Sequence, residues 1–149
     1  MINKIKKGEG FTLIELLVVI AIIGLLSTLS LVALNVARQK ARDAMRTADI
    51  RGIQTALELY YNDRGSYPGT VSTNSSIASG TPVVTYMGVV PANPTPGNDG
   101  DCSTTATQKD FAYTYDNPSS YHIVYCLAAG SGSVTKGPHT ATPIGLTNP

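Results

Sequence analysis

From residue 11 to residue 37 the chain is almost wholly apolar; Glu15 is its one charged position, and residues 16–26 are apolar apart from Gly24. Polar positions then return at helical spacing, and residues 38–62 alternate apolar and polar with a period close to 3.6. No proline occurs between Phe11 and Tyr67. One helix of about 50 residues, near 75 Å at standard rise, is therefore expected. Its stop is well marked: Asn62-Asp63-Arg64-Gly65 offers a glycine for the C-terminal cap, with Pro68 beyond.

In the second half of this helix Ile50, Ile53, Leu57 and Tyr61 gather on one face, which predicts a seat for a sheet. Ala33, Ala37, Ala41, Ala44, Ala48 and Gly52 form a stripe of small residues elsewhere, open to close approach by other helices. After the helix, a Ser/Thr/Gly-rich loop is expected to about residue 81 and a strand over 83–90. A rigid turn region rich in proline spans 91–101. The strongest β-signal is 111–116 followed by 121–128. Phe111, Tyr113 and Tyr115 alternate with smaller residues, as do Tyr121, Ile123, Tyr125 and Leu127, and Asn117-Pro118-Ser119-Ser120 makes the turn. This predicts an antiparallel hairpin with an aromatic face packed on Ile53 and Leu57. The Gly/Pro-rich last 20 residues are expected to be only partly ordered. The fold class is α+β: one very long N-terminal helix, half apolar and half amphipathic, packed on a small antiparallel sheet head.

Length changes this picture little, since 149 residues suffice for one modest domain. Charge changes it more. The net +1 hides a polarity: Lys4, Lys6 and Lys7 face only Glu9 in the first ten residues. Five basic residues from Arg38 to Arg51 stand against Asp43 and Asp49, and residues 52–149 carry a net −3. Those five could meet acidic groups of neighbouring heads, lipid phosphates or plain solvent.

The 22 uncharged residues 16–37 make about 33 Å of helix, enough to cross a hydrocarbon core of roughly 30 Å. A buried core helix, a secretory signal peptide cut after Ala33 or Ala37, and a plain anchor are the alternatives. A buried core helix is disfavoured because a small chain has so little else to cover 22 uncharged residues. Glu15 disfavours a signal peptide and is left unexplained by a plain anchor, because a carboxylate in a membrane helix costs about 2.5–3.5 kcal/mol on insertion scales and asks for a partner. A cut between Gly10 and Phe11 would supply one: a new α-amino group four residues before Glu15, mostly protonated at neutral pH.

Lys6-Lys7-Gly8-Glu9-Gly10 followed by Phe11-Thr12-Leu13-Ile14-Glu15-Leu16-Leu17-Val18-Val19-Ile20-Ala21-Ile22-Ile23-Gly24 resembles the processing motif of type IV pilins and type II secretion pseudopilins. The resemblance implies a leader over 1–10, an apolar filament-core helix over 11–37, its amphipathic continuation over 38–62 and a globular head over 63–149. It implies a prepilin peptidase that cuts after Gly10 and N-methylates Phe11. It further implies Glu15 acting in subunit recruitment, and Gly24 lying where the helix loosens in the filament. The implied partners are further copies of the chain, the membrane before assembly, and an inner-membrane platform with its ATPase. The implied location is the inner membrane and then a pilus or periplasmic pseudopilus.

In an exported head Cys102 and Cys126 are expected to pair, closing a loop of about 25 residues. Asn98-Asp99-Gly100-Asp101 lacks the spacing of a calcium loop and reads as a solvated turn. His122 falls in a strand and His139 in the tail, with no catalytic or zinc-type spacing around them. Neither a cofactor nor catalysis is expected, and nucleic-acid binding stays open.

Overall fold

The computed structural model describes residues 10–96, 102 and 111–147. A single helix, α1 (Leu13–Arg64), is followed by six strands: β1 (Ile77–Ser79), β2 (Val84–Met87), β3 (Ala112–Asn117), β4 (Ser120–Leu127), β5 (Gly137–Thr142) and β6 (Gly145–Thr147). Strands β1 and β2 pair antiparallel, and β3-β4-β5-β6 form a four-stranded antiparallel meander. The chain divides into two compact units, Met1–Asn35 and Val36–Pro149.

The described residues of the first unit are apolar helix from Leu13 on, with none of their side chains covered by protein, from Phe11 at 78% exposure onward. The helix is unbroken through Ala33 and Ala37. Ser27, Thr28 and Ser30 donate their hydroxyls back to the carbonyls of Ile23, Leu25 and Leu26 at 2.7–2.9 Å. These hydroxyls therefore need no outside partner in an apolar medium.

In the second unit α1 ends as its residues dictate. Gly65 takes φ +70°, and its N–H donates to the Tyr61 carbonyl at 2.7 Å, a left-handed cap that a side chain would oppose. The face of Ile50, Ile53 and Leu57 is buried against Tyr121, Ile123, Tyr125 and Leu127 of β4, with Ala141 of β5 beside them. The expected hairpin is present, with Tyr113 opposite Ile123 and Tyr115 opposite Tyr121. The Asn117 side-chain oxygen accepts from the Ser119 N–H at 2.9 Å and shapes the turn. Tyr67 links helix end to sheet, stacking on Tyr61 at 4.7 Å and meeting Tyr121 edge-on at 4.6 Å.

Three expectations need correction. The Gly/Pro-rich tail, expected to be partly ordered, forms β5 and β6, because Gly137 and Gly145 adopt positive φ and supply the bends between strands. The Ser/Thr-rich loop contains β1, whose Ile77 is buried. The strand sought in 83–90 covers only Val84–Met87, since Val90 turns inward to close a loop with Asn74 and Ser75.

The basic cluster is also not uniform. Arg46 is fully buried, as is Asp43. Arg46 Nη1 donates to Asp43 Oδ1 at 2.7 Å, its Nε to Asn93 Oδ1 at 2.7 Å, and its Nη2 to the carbonyls of Pro94 and Pro96. Asp43 also accepts three backbone N–H groups, from Ala128, Ala129 and Gly130, at 2.6–3.0 Å. One helical turn thus holds the 93–96 loop with one side chain and the end of β4 with the other.

Candidate functional site

Gly10, Phe11 and Thr12 precede the first helical residue and are exposed. The boundary falls there because Thr12 and Glu15 cap each other. The Thr12 N–H and hydroxyl donate to Glu15 Oε2 at 2.8 and 2.7 Å, and the Glu15 N–H donates to Thr12 Oγ1 at 3.3 Å. This reciprocal arrangement is a capping box, which satisfies donors that every helix start leaves open. The Gly10–Phe11 peptide therefore sits in non-helical chain, one residue outside the cap.

The capping box answers the question Glu15 raises in the sequence. Its partner is Thr12, and a carboxylate at a helix N-terminus also meets the positive end of the dipole. Thr12 is legible in the sequence as the first residue of a Thr-x-x-Glu signature ahead of an apolar run. Gly24 stands in regular helix, about 13 Å along the axis from Glu15. A side chain built there would meet nothing within 4 Å, so no packing inside the chain requires a glycine. The structure brings Glu15 to Thr12, and leaves Phe11 and Gly24 without contacts that would define a pocket.

Cys102 and Cys126 form a disulfide with Cα atoms 5.7 Å apart, both nearly buried. It fixes Cys102 on β4. The Asn98-Asp99-Gly100-Asp101 turn lies outside the described residues. Among the described residues no three His, Cys, Asp or Glu side chains converge as metal ligands. His122 Nδ1 pairs with Asp116 at 2.8 Å on the partly exposed hairpin. His139 is buried beside Tyr125, and its Nε2 lies 2.7 Å from the Thr135 carbonyl oxygen, which accepts a hydrogen bond from it.

Residues 5–31 match the prokaryotic N-terminal methylation motif family. The chain is 35% identical over 89 residues to the type IV wide pilus major component PilA4 of Thermus thermophilus, a match covering 59% of this chain and 68% of that protein. It is 41% identical over 64 residues to the type II secretion system core protein G of Escherichia coli, covering 43% of this chain and 44% of that protein. It is also 43% identical over 70 residues to the fimbrial protein EcpC of Eikenella corrodens, covering 46% and 43%. The chain spans less than half the length of the secretion proteins it matches. No solved structure matches. A long apolar helix capped by Thr12 and Glu15, continued onto an antiparallel head, agrees with the extended match to a pilus component, and the chain belongs to the type IV pilin and type II secretion pseudopilin family.

Proposed function

We propose that this chain is the structural subunit of a type IV pilus, held in the inner membrane by its apolar helix and then assembled through it. The observation that carries the reading is the fully uncovered apolar unit, which is stable in water only if lipid or neighbouring copies cover it. A prepilin peptidase cuts between Gly10 and Phe11, where the chain is exposed and non-helical. The cut frees an α-amino group next to the capping box, and N-methylation leaves it basic. Glu15 of one copy then neutralises the amine of the next, so that insertion into the array is favoured over isolation in lipid. Gly24, where an added side chain would meet nothing within 4 Å, is where the helix loosens in the polymer. An inner-membrane platform and its ATPase drive extraction.

The pilus is preferred because the match to a pilus component runs over 89 residues, whereas the matches to secretion core proteins run over 64–68. The pseudopilin of a type II secretion system remains the second reading, supported by those N-terminal matches at 35–41% identity. Intact mass and N-terminal sequencing of protein sheared from cell surfaces decide between them. N-methylated Phe11 in material seen as long filaments supports the pilus. The same N-terminus found only in membranes, without surface filaments, supports the pseudopilin. A chain beginning near residue 34 or 38 overturns both.

A further inference from the structure

A hollow of about 490 Å³ lies on one flank of α1 in the second unit, between Lys40, Ala44 and the 129–135 segment. Its far wall is built rather than accidental. Ser131 and Val134 exchange backbone hydrogen bonds at 2.9 and 3.0 Å. Gly132 takes φ +60°, the positive value that a two-residue hairpin turn asks of its first central residue. Gly130 lets the segment fold close, since a Cβ there would stand 2.8 Å from the Val134 carbonyl oxygen. The segment is also rooted on the helix, because Asp43 accepts the N–H groups of Ala129 and Gly130 one residue before Ala44.

The polar groups left open around it suit an anion. Lys40 is exposed and makes no ion pair among the described residues. No carboxylate among the described residues lines the hollow. Asp43, the nearest in sequence, is buried and already occupied by Arg46 and three backbone N–H groups. The N–H groups of Gly132 and Ser133 donate to nothing among the described residues. Successive open N–H groups at such a turn are a recurrent seat for anions. Ala44, Ala129 and Val134 complete the lining with an apolar side.

We propose that this hollow binds the phosphate of an anionic phospholipid headgroup, with Lys40 as counter-charge and the Gly132 and Ser133 N–H groups as donors to its oxygens. The inference rests on the membrane-held stage of the reading above and adds what the head binds there. Position selects a lipid over free phosphate. Lys40 is three residues past Ala37, the end of the uncharged run, or about 4.5 Å along the helix. The headgroup layer outside the hydrocarbon core is roughly 5–8 Å deep on each side, and a lysine extends readily within it. The lining agrees, because its apolar side suits the glycerol carbons that free phosphate lacks. Charge agrees as well. Residues 52–149 carry a net −3, so the pull toward an anionic surface comes from residues 38–51. A phosphate held between Lys40 and the turn ties the 129–135 segment to the bilayer surface, and extraction into a polymer has to release it.

The test is amide NMR of the isotope-labelled full chain in micelles of a maltoside detergent, which carries no phosphate. Phosphatidylglycerol added to the micelles is expected to shift the Gly132 and Ser133 amides saturably, while the core amides of Ile123 and Tyr125 stay still. Inorganic phosphate in lipid-free micelles should give the same shift only at a concentration about tenfold higher or more. Lys40→Gln is expected to raise the half-saturating lipid concentration about fivefold, the weight of one lysine at an anionic surface. Lys40→Arg should leave it nearly unchanged. So should Arg38→Gln, the same loss of charge two residues away and outside the lining of the hollow. Lys40 is exposed and unpaired, so its replacement spares the fold, and the unmoved core amides verify this. Gly132 and Ser133 amides that ignore the lipid overturn the proposal. Equal losses from Lys40→Gln and Arg38→Gln overturn it too, by making the attraction diffuse, and equal potency of inorganic phosphate overturns the lipid as its ligand. All three leave the pilus reading standing. Mature chains that begin near residue 34 or 38 overturn the membrane-held stage and this inference together.

Discussion

Asp43 carries more of the head than any charge visible in the sequence suggests. Its carboxylate accepts from Arg46 and from three consecutive N–H groups, all out of water. Asp43→Asn keeps the volume but turns one acceptor into a donor facing donors, and leaves the Arg46 guanidinium buried without its counter-charge. Breaking a buried pair from one side costs about 3–5 kcal/mol. Denaturant unfolding of the detergent-solubilised chain is expected to show that loss. Adding Arg46→Met should recover part of it, because the two residues act as one unit. A loss below about 1 kcal/mol would mean that the network does not tie the 93–96 loop and the end of β4 to the helix. None of this was legible in the sequence. Asp43 and Arg46 sit three apart on a helix full of charges, and only the folded loops at 93–96 and 128–130 distinguish them from their solvated neighbours. Glu15 was legible as an exceptional carboxylate, and its local partner Thr12 was one signature away.

Tyr125 makes a second prediction at the same scale. It is fully buried, its hydroxyl has no hydrogen-bond partner among the described residues, and burial pushes its phenol up from the usual value, with Arg51 opposing. Burial likewise raises Tyr121, helped by the charge of Glu58. The neutral form is favoured in the folded chain, so this stability is complete below the unfolded phenol's pKa near 10. It declines as pH rises from there toward the higher folded value. Each such tyrosine contributes a slope of up to about 1.4 kcal/mol per pH unit in that window. Unfolding midpoints followed into alkali should fall steeply for the wild type and less steeply for Tyr125→Phe. That variant should be no less stable than the wild type at neutral pH, because the hydroxyl it removes is unpaired.

At the scale of elements, legibility follows side-chain size. The helix stop and the β3–β4 hairpin could be read because Gly65 and alternating tyrosines give strong, periodic signals. Strands β5 and β6 escaped because their buried positions are Gly137, His139 and Ala141, which carry little apolar pattern. The same weakness makes the disulfide matter. Cys126 ties β4 across a separation of 24 residues to Cys102, a point that hydrophobic periodicity does not anchor. Closing a loop of that length contributes about 3 kcal/mol in the chain-entropy model. Reduction, or the double substitution Cys102→Ser and Cys126→Ser, is expected to lower unfolding free energy by that order while α1 and its buried face persist. Unchanged stability on reduction would show that the 93–96 clamp alone fixes the segment.

For the whole molecule the decisive contrast is between two units of opposite surface. Seventeen large apolar side chains from Phe11 to Val36 are exposed, whereas the hydrophobic core, from Ile50 to Ala141, lies wholly within Val36–Pro149. The hydrogen-bonded clamp and the disulfide lie in that second unit as well. A chain beginning at Val36 is therefore expected to fold by itself, to be monomeric in water without detergent, and to match the full chain's unfolding midpoint. The full chain should need lipid, detergent or polymerisation to stay in solution, because its apolar unit has no cover of its own. Sedimentation and thermal unfolding of the shortened chain check this. If it aggregates or unfolds at low temperature, the first unit supplies stability that no contact in the structure accounts for. If it behaves as expected, solubility and assembly reside in the first unit and stability in the second. The loss of filaments by a head variant can then be assigned to a lost contact, because its fold can be verified independently on the soluble unit.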